Sequence, residues 1–214
     1  MCGGVMSRLL VLITLLLSFS FTSVVHADTT NSVNADVVQL LSKQNPFTNK
    51  LYDASFKRWA AIYTPMYPWY WNKAQAIAES GLNPNATSQV GAMGLTQFMP
   101  GTWQDVSRKL SLNGSAYTPA LNIQAQAYYM SYLMNQFKKP RPLYDQYSLA
   151  LASYNAGIGN IINAQRIGGN SLLYSPMSKA LPQVTGKHSI ETTTYVRRIW
   201  DYIGILTQLE EPKQ

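Results

Sequence analysis

The sequence is poor in the side chains that most catalytic chemistries use. Its 214 residues include one cysteine and two histidines. Cys2 and His26 both fall in the first 27 residues, an apolar leader. Removal of that leader leaves no thiol, which excludes disulfides and a cysteine nucleophile. His188 is then the single imidazole, so a Ser-His-Asp set would have to run through it, and no G-x-S-x-G elbow accompanies it. No His, Cys and Asp cluster has metal-ligand spacing, and no glycine-rich phosphate loop is present. Neither a metal nor a cofactor is expected. Sustained strand alternation, internal repeats and low-complexity tracts are also missing. Acids number 10 against 17 lysines and arginines, a formal charge of +7. Such an excess suits a polyanion such as a wall polymer, acidic lipid headgroups or nucleic acid. The cluster Lys138, Lys139 and Arg141 is too short to mark a nucleic-acid groove, so nucleic acid is not expected as a partner.

The composition, 46% hydrophobic and 13% charged, is that of a globular chain long enough for one well-buried domain. Residues 1–27 read as a secretory signal peptide. Arg8 precedes the apolar stretch Leu9 to Leu17, and Val25-His26-Ala27 forms a small-residue cleavage site before Asp28. An uncleaved anchor is the rival reading, because the apolar stretch extended to Val25 approaches the roughly 20 residues of a full span. Without Arg8, the only charged group of that leader, 16 basic and 10 acidic groups remain, a net of +6. Residues 28–50 are polar and rich in Asn, Thr and Ser, a linker with at most one short helix expected around Val33–Ser42. Residues 51–214 form the expected folded domain.

Helical spacing begins at Leu51 and places Phe56, Trp59, Ala60 and Tyr63 on one face. Pro65 and Pro68 break it. A second helix from Pro68 carries Trp71, Ala74, Ile77 and Ala78 towards Glu79. A short helix is expected over Ala92–Phe98 and another from Pro100-Gly101-Thr102 with Trp103, Val106 and Leu110. The clearest amphipathic run is Asn122–Phe137. Helices are expected again at Tyr144–Tyr154, Ile161–Arg166 and Thr192–Leu209, with residues 167–190 mainly loop. The class is all-α.

The stretch 74–100, AQAIAESGLNPNATSQVGAMGLTQFMP, organises the rest. Glu79 is the single charge between Lys73 and Asp105 and follows an apolar, aromatic-rich run. By position alone it is either a solvated helix-surface glutamate or a desolvated acid. Against indoles and alkyl groups its charged form loses hydration, so its pKa rises and it keeps a proton to donate near neutral pH. Gly81, Asn83, Pro84 and Asn85 stop the helix. Gly91 and Gly94, with Ala92, remove bulk where a ligand would approach the backbone. Gln97 adds a group that both donates and accepts. Helical spacing alone makes Tyr154 and Tyr195 core aromatics, Asn155 a helix-terminal residue and Ser80 a helix-end decoration.

ESGLNPNA followed by GAMGLTQFMP resembles the lytic transglycosylase family with the soluble-transglycosylase (SLT) type of lysozyme-like domain. Ala152-Ser153-Tyr154-Asn155-Ala156-Gly157 resembles that family's A-Y-N-A-G signature, and Glu191-Thr192-Thr193-Thr194-Tyr195-Val196 its E-T-x-x-Y-V signature. Gly94-Leu95-Thr96-Gln97 is similar to G-L-M-Q, with Thr96 where methionine is usual. The departure removes one apolar contact expected in the sugar groove. The likeness covers roughly residues 66–205. It implies a lysozyme-like helical domain with a cleft, in an exported protein that is periplasmic or anchored facing the periplasm. Glu79 becomes the general acid and then base, and Ser80 a sugar contact beside it. Gln97 and Asn155 become groove hydrogen-bonders, and Tyr154 and Tyr195 hydroxyls facing the cleft. Gly94 supports the loop, and Glu191 is a buried, structural glutamate by the active-site floor.

A glycosidase with two carboxylates needs its second acid within about 5–9.5 Å of the first. The sequence offers no obvious partner for Glu79, and Glu191 is the sole motif-borne alternative. The resemblance implies a substrate-assisted cleavage of peptidoglycan glycan strands that closes a 1,6-anhydro ring. Two rivals remain: a goose-type lysozyme-like hydrolase of the same bond, and an idle wall-binding or assembly module. The polar 28–50 segment would suit docking to a secretion, conjugation or phage assembly, though nothing in it names one.

Overall fold

The computed structural model describes residues 45–210. The signal-peptide reading and the helix expected at Val33–Ser42 lie outside the described residues. Among those described, the secondary structure is helical apart from isolated bridges. The helices are α1 (Asp53–Tyr63), α2 (Trp69–Ser80), α3 (Pro100–Lys109), α4 (Pro119–Gln136), α5 (Leu143–Ala156), α6 (Ile158–Ile167), α7 (Tyr174–Ala180), α8 (Pro182–Thr185) and α9 (His188–Glu210). No described helix is long and apolar enough to cross a membrane.

Proline and glycine set the boundaries. Pro100, Pro119 and Pro182 open α3, α4 and α8 in a first turn, where the missing N–H costs nothing. α2 stops because Gly81 adopts φ +64 and turns its N–H back to the Ile77 carbonyl at 2.9 Å. Helix α2 packs against both α1 and α9, and α4 bridges α1 and α5. Their apolar stripes, including Phe56, Ile77, Ile123, Leu133, Leu151 and Ile199, merge in one buried cluster. A smaller cluster of Phe98, Val106 and Ala125 lies under Trp103, Tyr129 and Tyr154.

Residues 45–50 pack onto this body. Phe47 meets Tyr202 edge-on, ring centroids 5.0 Å apart. The buried Lys73 ammonium donates to the Asn49 carbonyl at 2.7 Å and to Asp53 at 2.8 Å.

Two expected elements differ. Ala92–Phe98 is not a helix. Gly94 and Gln97 lie at φ +76 and φ +50, left-handed positions that a right-handed helix cannot pass through. The turn is closed instead by reciprocal Met93–Phe98 backbone hydrogen bonds of 2.9 and 3.0 Å. Residues 167–190, expected mainly as loop, contain α7, α8 and the first turn of α9. Met177, Ala180 and Leu181 are buried there, so packing outweighs the weak local propensity of a stretch rich in Ser, Gly and Pro.

Candidate active site

Glu79 stands in the last turn of α2, just ahead of the glycine that ends it. The residue is half-buried. Burial of its carboxyl pushes the pKa up from 4.5 to about 7, against a Tyr195 hydrogen bond and the Arg198 charge, which both favour the carboxylate. The Tyr195 hydroxyl donates to Glu79 Oε1 at 2.5 Å. The Tyr195 phenol is itself held well above its usual range by burial, then by the Glu79 charge, so it remains a donor. Tyr154 is likewise raised by burial and then by Glu79. Its hydroxyl donates to the Thr96 carbonyl at 2.8 Å.

The loop after α2 is fastened to this helix end. Ser80 Oγ donates to the Leu95 carbonyl at 2.7 Å. Gln97 donates its amide protons to Ala86 O at 3.1 Å and Gly94 O at 2.8 Å, so only its Oε1 remains to accept from a ligand. Gly94 serves the chain's own packing rather than a ligand. A Cβ there would meet Ala116 O at 2.3 Å and Asn122 Nδ2 at 2.7 Å. Thr96 is fully buried, with its N–H and hydroxyl on Asn122 Oδ1 at 3.0 and 2.7 Å. The side chain that replaces the usual methionine therefore braces the loop from within.

A cleft of about 530 Å³ opens beside this group and is lined by Asn155, Lys187, His188, Glu191, Tyr195 and Arg198. Asn155 is exposed and accepts from Thr192 Oγ1 at 2.8 Å, which leaves its amide protons for the cleft. Glu191 was expected to be buried and is instead exposed. Thr192 and Tyr195 take the buried face of α9, and Glu191 in its first turn is left facing the cleft. Tyr128, Tyr129, Tyr132 and Ile158 help to wall a second cavity of about 380 Å³. Its Tyr129 touches Tyr154 ring to ring at 5.5 Å.

The structure thus brings Glu79, Tyr154 and Tyr195 together, with Asn155 on the cleft that Tyr195 lines. Tyr195 is also buried, as helical spacing alone would have it, Tyr154 is half-buried, and both hydroxyls are already engaged. The sequence reading missed Gln75, Asn122, Gln126 and Arg198. Arg198 follows Tyr195 by three positions on a helix, a spacing that places both on one face and gave a usable signal.

The family model of the transglycosylase SLT domain matches residues 60–172. The soluble lytic murein transglycosylase of Salmonella typhimurium is 33% identical over 135 residues, covering 56% of this chain and 20% of that protein. A crystal structure of an inactive glutamate-to-glutamine mutant of the lytic transglycosylase Slt from Pseudomonas aeruginosa superposes with a TM-score of 0.60 at 28% identity, over 77% of this chain and 25% of that one. For the 70 kDa soluble lytic transglycosylase of Escherichia coli the TM-score is 0.61 at 25% identity, over 86% and 28%. The chain therefore spans about a fifth to somewhat over a quarter of the length of these relatives. With more than half of its residues matched by the family model, the chain belongs to the transglycosylase SLT domain family.

Proposed function

We propose that this protein is a peptidoglycan lytic transglycosylase that cleaves the β-1,4 bond between N-acetylmuramic acid and N-acetylglucosamine. The observation that carries this reading is the Glu79 carboxyl, raised to about 7 by burial and held by the Tyr195 hydroxyl at 2.5 Å. A group with that pKa is present in both protonation states near neutral pH, as one residue acting first as acid and then as base requires. In the first step Glu79 protonates the glycosidic oxygen while the N-acetyl oxygen of the muramic acid attacks the anomeric carbon, so the bond to the leaving sugar breaks. In the second, the Glu79 carboxylate removes the proton of the C6 hydroxyl, whose oxygen displaces the acetamido oxygen and closes the 1,6-anhydro ring. The acid is regenerated and no water is consumed.

The other groups have supporting roles in this reading. Tyr195 and Arg198 stabilise the carboxylate between the two steps, and Asn155 donates to the glycan from the cleft wall. Ser80 and Gln97 hold the loop against the acid, and their remaining acceptor oxygens face the sugar. Tyr128, Tyr129 and Tyr132 supply rings for sugar faces, and the net positive charge draws the chain to an anionic wall. The reading includes an exported chain, 51–214 being the enzyme and 1–27 its leader, acting in the periplasm. The P. aeruginosa relative, inactive as a glutamate-to-glutamine mutant, supports assigning the chemistry to a glutamate.

The test is digestion of purified sacculi, followed by mass analysis of the soluble muropeptides. Products one water lighter than the reducing muropeptides support the proposal. Reducing ends would make the protein a hydrolase, and no release would make it a binding module.

A further inference from the structure

Behind Tyr195 lie two fully buried glutamines for which the proposed chemistry has no use. Gln75 sits one turn before Glu79 on α2, and Gln126 on α4. Gln126 Nε2 donates to the Asn72 carbonyl at 2.9 Å and to Gln75 Oε1 at 2.9 Å. Gln75 Nε2 then donates to the Tyr195 oxygen at 3.1 Å, and the Tyr195 hydroxyl to Glu79. The direction of this chain is dictated at its far end. A backbone carbonyl only accepts, so the Gln126 amide must present N–H to Asn72 and to Gln75 Oε1. The Gln75 amide then has only N–H left for Tyr195, and Tyr195 turns its single hydrogen on Glu79. The arrangement leaves Gln126 Oε1 buried without a partner, which packing alone would not select.

We infer that Gln75 and Gln126 are positioning residues for Glu79: anchored on the Asn72 carbonyl, they hold Tyr195 as an obligate donor to the carboxylate and so set how readily the acid releases and regains its proton. The inference deepens the proposed function and rests on it for its catalytic meaning, whereas the hydrogen-bond polarity does not. Other groups act on Glu79 as well. Arg198 comes from α9, Tyr154 from α5 with Tyr129 of α4 against its ring, and Lys187, His188 and Glu191 line the cleft. On α1, Asp53 is engaged by Lys73. None of them touches the two glutamines in the chain of donors, so replacing these leaves the other influences in place.

The test is a carboxyl-carbon NMR titration of Glu79 in the full chain. In a Gln75→Met/Gln126→Met variant both amides go together and side-chain length is kept. Loss of the cooperative push on Tyr195 raises the midpoint by roughly half a unit. The same pair of changes in a Tyr195→Phe background leaves it still. Should the methionine pair fail to fold, Gln126→Leu alone frees the Gln75 amide and gives a smaller rise. An unchanged midpoint, or an equal rise without the Tyr195 hydroxyl, overturns the inference. Absence of anhydro-muropeptides from the wild-type chain overturns the proposed function instead, and the titration reads the same either way.

Discussion

The Tyr195 hydroxyl reaches Glu79 Oε1 at 2.5 Å from a position 116 residues further along the chain. A donor to the carboxylate lowers the acid's pKa, so its removal raises it. Tyr195→Phe is expected to move the alkaline limb of the pH–rate profile of muropeptide release upward from about 7, with a fall in kcat of about tenfold from the lost positioning. A profile that keeps its wild-type limb would show that this contact does not tune the acid.

Glu79→Gln removes the transferable proton but keeps the shape. Release of muropeptides should drop by about a thousandfold, the range general acid–base groups contribute. The fold should gain. An acid whose pKa rises from 4.5 to about 7 on folding stabilises the native state below 4.5 and loses that contribution as pH rises to 7. The difference is at most roughly 3 kcal/mol. Denaturation at pH 4.5 and pH 8 checks the sign: the variant's stability relative to wild type should increase at the higher pH.

The lysine in the second turn of α2 has a different role. Lys73 and Asp53 form a buried pair with side chains 2% and 11% exposed. Lys73→Met strands the carboxylate and should cost about 3–5 kcal/mol, and Lys73→Met/Asp53→Leu should recover most of it. Urea midpoints of the two variants decide this, and a double variant as weak as the single would show that the Asn49 carbonyl contact dominates.

Gly94 and Gly91 separate packing from backbone strain. Both have positive φ, +76 and +82, but only Gly94 faces atoms that an added methyl would strike. Gly91→Ala should cost about 1 kcal/mol from conformation alone. Gly94→Ala should cost more and also impair muropeptide release, because the Ala116 contact holds the turn that carries Thr96 and Gln97. Thermal midpoints together with release rates distinguish the two.

Much of this was legible in the sequence. The apolar periods of α1, α2, α4, α5 and α9 sit where spacing put them, and the resemblance named Tyr154 and Tyr195, which lie next to Glu79. The turn at 92–98 was misread because its apolar residues imitate a helical stripe, while the property that decides it, positive φ at Gly94 and Gln97, has no apolar signature. Glu191 was placed on the wrong side of α9, since a motif gives order along the chain and not rotation about an axis. Gln75 and Gln126 were invisible as a pair. They lie 51 positions apart, and a polar residue on an apolar face shows its purpose only when its partner is seen.

From Gln126 through Gln75 and Tyr195 each donated hydrogen points towards the Glu79 carboxylate, while the second hydrogen of the Gln126 amide is fixed on the Asn72 carbonyl. The buried side of the acid is in this sense a dead end for protons. In the proposed reaction the proton that Glu79 gives to the glycosidic oxygen would therefore be replaced from the substrate side, by the C6 hydroxyl. Such a catalyst resets itself within a single turnover, with no drain into the protein interior.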